Sequence, residues 1–159
     1  MSFKHVRKMV IIFFKQESRR LAELAVARLR LGDTPDDVMH YSLLEALQSP
    51  GRWLLIQVDW KDTDEVEPQA KEMLTIAGVT ETWRLHSETS TTVLQALLAL
   101  SSWVEQRGFH LLHLGLGDDA YRALLAAADK SEPIIRAAQD ASLKLQRTSD
   151  FAADNADAM

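Results

Sequence analysis

Apolar residues recur with two different periods along this 159-residue chain, and the pattern changes near residue 52. Before that point the spacing is helical. Phe3, Val6, Val10, Phe13 and Phe14 fall on one face, as do Leu21, Leu24, Ala25 and Leu29. The β-branched run at 10–12 leaves residues 9–14 open to a strand reading. Gly32 ends the helix, and "TPDD" starts another. Thr34 can cap it, Pro35 suits its first position, and Asp36 and Asp37 suit the positive end of its dipole. It runs to about Gln48 and stops at "SPG". Residues 1–48 are therefore expected to form a helical hairpin, packed through Val38, Tyr41, Leu44 and Leu47.

From Arg52 onward short apolar runs alternate with helical stretches. "RWLLIQVDW" reads as a strand after a Pro-Gly break, apolar on both faces, and so is expected to be central and covered on both sides. In "KDTDEVEPQAKEMLTIAG", Val66, Ala70, Met73, Leu74 and Ala77 make one helical face. Pro68 fits the first turn and Gly78 ends the helix. "VTETWRLH" (79–86) reads as a second strand. "SETSTTVLQALLALSSWVEQRG" reads as a buried helix, capped near Ser90 and closed by Gly108. "FHLLHLGL" is a third strand. The order strand-helix-strand-helix-strand predicts a single α/β (α+β) domain with a mixed β-sheet and crossover connections, preceded by the helical hairpin. The core is expected over residues 52–147, and "TSDFAADNADAM" (148–159) reads as a frayed acidic tail.

The stretch "LGLGDDAYRALLAAA" admits three readings. Gly115 and Gly117 have the spacing of a phosphate-binding turn, with Ala120 in the third place. Asp118 and Asp119 then stand where a pyrophosphate would lie, and like charge would repel it. In the second reading Asp118 caps a helix over 119–129, which the alanines favour. In the third, Gly117, Asp118 and Asp119 form a hairpin turn and 121–127 is the returning strand. Ser131 and Pro133 then start a further helix, and "LKLQ" makes a last edge strand.

Three pieces together resemble an uncharacterised bacterial family of small domains, known only as a domain of unknown function. They are "VDWKDTDEVEPQ" (58–69), "GLGDDAY" (115–121) and "EPIIRAAQDASLKL" (132–145). Family members show a similar aspartate-tryptophan-lysine strand end, and a Gly/Ser-Asp-x-Tyr turn followed by a strand and a helix. The resemblance spans residues 52–147 and implies the hairpin reading. The sequence departs from the family in carrying "ALLAAA" where β-branched residues are expected. The resemblance implies no activity.

Composition narrows the chemistry mainly by exclusion. The chain has no cysteine, which removes disulfides, thiol nucleophiles and Cys-based zinc sites. A formal net charge of −5 argues against a general nucleic-acid binder. The apolar run at 9–14 is too short for a signal peptide or a membrane span, so a cytoplasmic protein without membrane contact is expected. None of the five histidines forms an H-E-x-x-H pair, and no G-x-S-x-G elbow occurs. His110 and His113 differ by three, so on a strand they face opposite sides. His86 ends the expected second strand.

The remaining candidates lie at strand ends. Asp59, Trp60 and Lys61 end the first strand, and Asp118, Asp119 and Tyr121 follow the third. If those strands are parallel, both loops lie at one sheet edge, where open sheets bind ligands. Trp60 is the one tryptophan expected to be half exposed; Trp53, Trp83 and Trp103 read as core. Two function classes follow. One is a small non-catalytic binding or regulatory module that contacts a protein partner, with the acidic surface suited to a basic one. The other is an enzyme or divalent-metal binder that uses the edge carboxylates as ligands or as acid and base. No cofactor is indicated, and the oligomeric state is left open.

Overall fold

The computed structural model of the chain describes His5, Lys8, and residues 55–86 and 91–158. The helical hairpin expected over residues 1–48, with residues 9–14, lies outside the described residues, as do Trp53 and Ser90. Four strands form one sheet: β1 (Leu55–Asp59), β2 (Phe109–Gly115), β3 (Ala120–Ala127) and β4 (Lys144–Arg147). Their order is β1-β3-β2-β4, and every neighbouring pair is antiparallel. From β1 the chain passes through a 3-10 turn (Thr63–Glu65), α1 (Val66–Ile76) and α2 (Val93–Glu105) before returning as β2. β3 then folds back between β1 and β2. The chain continues as a 3-10 turn (Ala128–Lys130), α3 (Ser131–Asp140), β4, α4 (Thr148–Asp154) and a 3-10 turn (Ala156–Ala158). The result is a mixed α+β single domain.

Both sheet faces are covered, which is why the strands carry apolar residues on both sides. Ile56, Val58, Leu111, Ala123 and Leu125 share one core with Val66, Met73 and Leu74 of α1 and with Leu97, Leu100 and Val104 of α2. By strand alternation Leu55, Leu112, Leu114 and Leu124 face the other way, and they are buried too. α3 buries Ile134, Ile135, Ala137 and Ala138, and is tied to β2 where Ser131 Oγ meets His110 Nδ1 at 2.8 Å.

Local chemistry fixes the helix ends. Thr92 caps α2, close to where the sequence placed the cap: its hydroxyl accepts from the Gln95 N–H while the Gln95 side chain accepts from the Thr92 N–H. Ser131 does not cap α3, because its hydroxyl is spent on His110 and the Ala127 carbonyl. The 3-10 turn ahead of α1 carries Asp64 and Glu65, with Asp62 just before it, while Glu67 reaches across to the Leu85 N–H at 2.8 Å.

Four further expectations are corrected. Residues 79–86 form no strand: the Leu85 N–H is taken by Glu67 and no ladder partner lies alongside among the described residues, though Trp83 is buried as expected. The described strand pairings are antiparallel throughout, so the sheet has no parallel neighbours. β1 lies at an edge of the described sheet rather than in its centre; burial on both faces reports layers, not neighbours. The outer side of β1 is closed by a side chain. Gln69 Oε1 accepts from the Gln57 N–H at 2.8 Å, and Gln69 Nε2 donates to the Gln57 carbonyl at 3.0 Å. Finally, residues 148–154 are helix rather than a frayed tail, anchored by buried Phe151.

Candidate functional site

The hairpin reading of residues 115–127 is the observed one, with Gly117 at φ 79° where a left-handed turn is needed. Because β3 pairs with both β1 and β2, the ends of β1 and β2 fall at one edge. Asp59 stands opposite Ala120, and the Trp60 N–H donates to the Asp119 carbonyl at 3.3 Å. The fold thus brings Asp59, Trp60, Lys61, Asp118, Asp119 and Tyr121 to one edge, though through antiparallel rather than parallel neighbours.

These residues divide by role. Asp59 Oδ1 accepts from the Lys61 N–H at 3.1 Å and shapes the turn after β1. Asp118 forks onto Arg122 with two contacts of 2.7 Å, and Arg122 Nε donates to Gln57 Oε1 at 2.9 Å. Arg122 is 6% exposed, so the pair neutralises a buried guanidinium. The same hydrogen bonds hold the Asp118 carboxyl below the usual carboxylate range. Asp118 is therefore occupied structurally. Among the described residues no three His, Asp or Glu side chains gather as a metal would require.

Trp60 and Tyr121 are placed differently. Trp60 is 53% exposed, the one large hydrophobic so exposed among the described residues, and Lys61 Nζ lies 5.1 Å from its ring centre. Its ring borders an open hollow of about 530 Å³, whose walls include Lys61, Thr63, Thr92, Val93 and Tyr121. The exposed carboxylates Asp62, Asp64, Glu65 and Asp119 flank these wall residues, and none forms an ion pair with a described cation. Tyr121 also lines a smaller pocket of about 160 Å³ between the hairpin turn, β4 and α4.

Sequence reasoning passed over the residue behind that second pocket. His113 is 2% exposed and lies flat on Phe151, with ring centres 3.9 Å apart. Its Nε2 meets Thr148 Oγ1 at 2.9 Å, and Thr148 Oγ1 in turn lies 2.6 Å from Ser101 Oγ. Its Nδ1 is buried with no partner among the described residues, and burial pushes the imidazole down to a pKa of about 3. The opposite facing of His110 and His113 follows from their spacing. The missed signal was Phe151, a lone aromatic in an otherwise polar tail. His86 is exposed and lies off the sheet.

The fold and edge define a class: a small α+β domain with a solvent-facing aromatic hollow at the end of its sheet. The chain belongs to the family described as a domain of unknown function (DUF6630), which matches residues 9–149. No curated protein and no solved structure shows significant similarity to it.

Proposed function

We propose that the chain is a non-catalytic protein-binding module, and that the hollow at Trp60 takes an apolar side chain from a basic segment of a partner protein. The observation that carries this is the exposed indole of Trp60 beside the hollow. A tryptophan left half in water by a fold this size is a frequent anchor of protein contacts. The carboxylates around it, which pair with no described cation, supply the complementary charge for Lys and Arg beside the partner's anchor. The absence of cysteine fits a reducing, cytoplasmic setting for such a module.

The test uses the hexapeptide Lys-Arg-Phe-Leu-Arg-Lys and an acidic counterpart in which Glu replaces each basic residue. Titration followed by NMR is expected to shift the Trp60 indole resonance saturably with the basic peptide only. Trp60→Ala should abolish binding while leaving the melting temperature nearly unchanged, since so exposed a ring adds little to the core. No saturable shift up to about 1 mM peptide, the weak end of specific recognition, would overturn the reading. So would binding that survives Trp60→Ala.

A further inference from the structure

Three hollows on this molecule are walled by one piece of chain. Ala158 borders the hollow at Trp60, Phe151 and Asn155 border the pocket at His113, and Thr148 and Ser149 border a third cavity of about 130 Å³ beside Glu105 and His110. All five residues belong to 148–158, that is, α4 and the turn that follows it. The segment's grip on the domain is narrow. Phe151 is its one buried residue. A helix of seven residues does not hold itself together without packing. Among the described residues its polar side-chain ties are Thr148, which meets Ser101 and His113 and donates to the Leu111 carbonyl at 3.3 Å, and exposed Asp154, which meets Lys144 at 3.0 Å and Gln146 at 2.7 Å. Phe151 sits on the His113 ring, whose Nδ1 is buried with no hydrogen-bond partner among the described residues. Water would satisfy that nitrogen once the segment lifted. The family match also stops at residue 149, the second residue of α4.

We propose that residues 148–158 are a releasable strap that opens while the sheet, α1 and α2 stay folded. On release, the Trp60 hollow and the His113 pocket join through Tyr121, which lines both, into one groove. An aromatic side chain of the basic partner segment then takes the place of Phe151 on the His113 ring. The identity of this occupant rests on the binding reading above; the release does not.

Diethyl pyrocarbonate labelling of His113, read by mass spectrometry beside amide hydrogen exchange, tests the release. With each rate divided by that of the unfolded chain, His113 is expected to label under native conditions at least about tenfold faster than α2 amides exchange, because local opening precedes global unfolding. Phe151→Leu should raise that reactivity several-fold further, and speed α2 exchange by no more than the same factor. Labelling of His113 only in step with α2 exchange would overturn the strap, and mere fraying of the last residues would give that same result. The peptide Lys-Arg-Phe-Leu-Arg-Lys tests the occupant. In excess it should speed exchange in α4 several-fold while protecting His113 from the reagent. A Trp60 shift with unaltered α4 exchange would overturn displacement. A peptide that binds nowhere would overturn the binding reading and its occupant, while the His113 labelling still decides the strap.

Discussion

His113 carries the clearest consequence at the scale of a single residue. Its imidazole is held near a pKa of 3 by burial, whereas in the unfolded chain it titrates near its ordinary value of 6.5. Below that ordinary value the unfolded chain takes up a proton that the folded chain refuses. The unfolded state then binds more protons, so stability falls as pH drops from 6.5 toward 3, by at most about 1.4 kcal/mol per pH unit. Above 6.5 the residue contributes nothing to the pH dependence. Asp118 acts lower: Arg122 depresses its pKa from 3.8, so its stabilisation is present above that value and lost beneath it. Urea unfolding at pH 7.5 and pH 4.5 separates the two. The native chain is expected to lose about 2–3 kcal/mol between these conditions through His113. His113→Phe, which keeps a flat ring under Phe151, should lose much less. An equal loss in the variant would place the pH dependence elsewhere.

At the scale of an element, the β2–β3 hairpin shows why local propensity misleads. Leu124, Leu125 and the alanines of β3 favour helix when read alone. The resemblance to the family implied the strand that is observed. The physical reason is position: β3 lies between β1 and β2 and is covered on both faces, so Ala123 and Ala126 fill space where larger side chains would crowd the layers. Its turn depends on Asp118, which offsets the buried Arg122 charge. Asp118→Asn is expected to lower stability by about 1–2 kcal/mol, the cost of weakening a half-exposed, solvent-screened partner of a buried guanidinium. The same urea experiment checks it. A more stable variant would instead mark Asp118 as a strained carboxylate kept for function. The stretch at 79–86 fails in the opposite way. It alternates like a strand, yet Trp83 is buried and the Leu85 amide is taken by a Glu67 side chain, so no ladder was needed. Alternation marks an extended chain with one buried side, not a hydrogen-bonded neighbour.

At the scale of the molecule, the α+β class and the gathering of the edge residues were legible, because apolar periodicity and chain order carry them. Strand order was not. Nothing local in β3 announces that it inserts between β1 and β2, and the antiparallel pairings follow from that insertion. The same insertion brought Asp59 and Asp119 together, so a correct juxtaposition was reached from an incorrect pairing. The depth of His113 was also hidden, since it depends on Phe151 in a segment whose composition reads as solvated.

The order of strands also leaves β1 on the outside of the described sheet, where Gln69 occupies both peptide groups of Gln57. A primary amide here stands in for the peptide group of a neighbouring strand. It is tethered to α1, so the substitute cannot propagate into a second molecule. Among the described residues, that guard on β1 is one neutral side chain. Gln69→Leu leaves a strand edge with an open donor and acceptor, the template from which intermolecular sheets grow. Light scattering at rising protein concentration is expected to report self-association in that variant and none in the native chain. A variant that stays monodisperse would show that the edge is guarded by something other than Gln69.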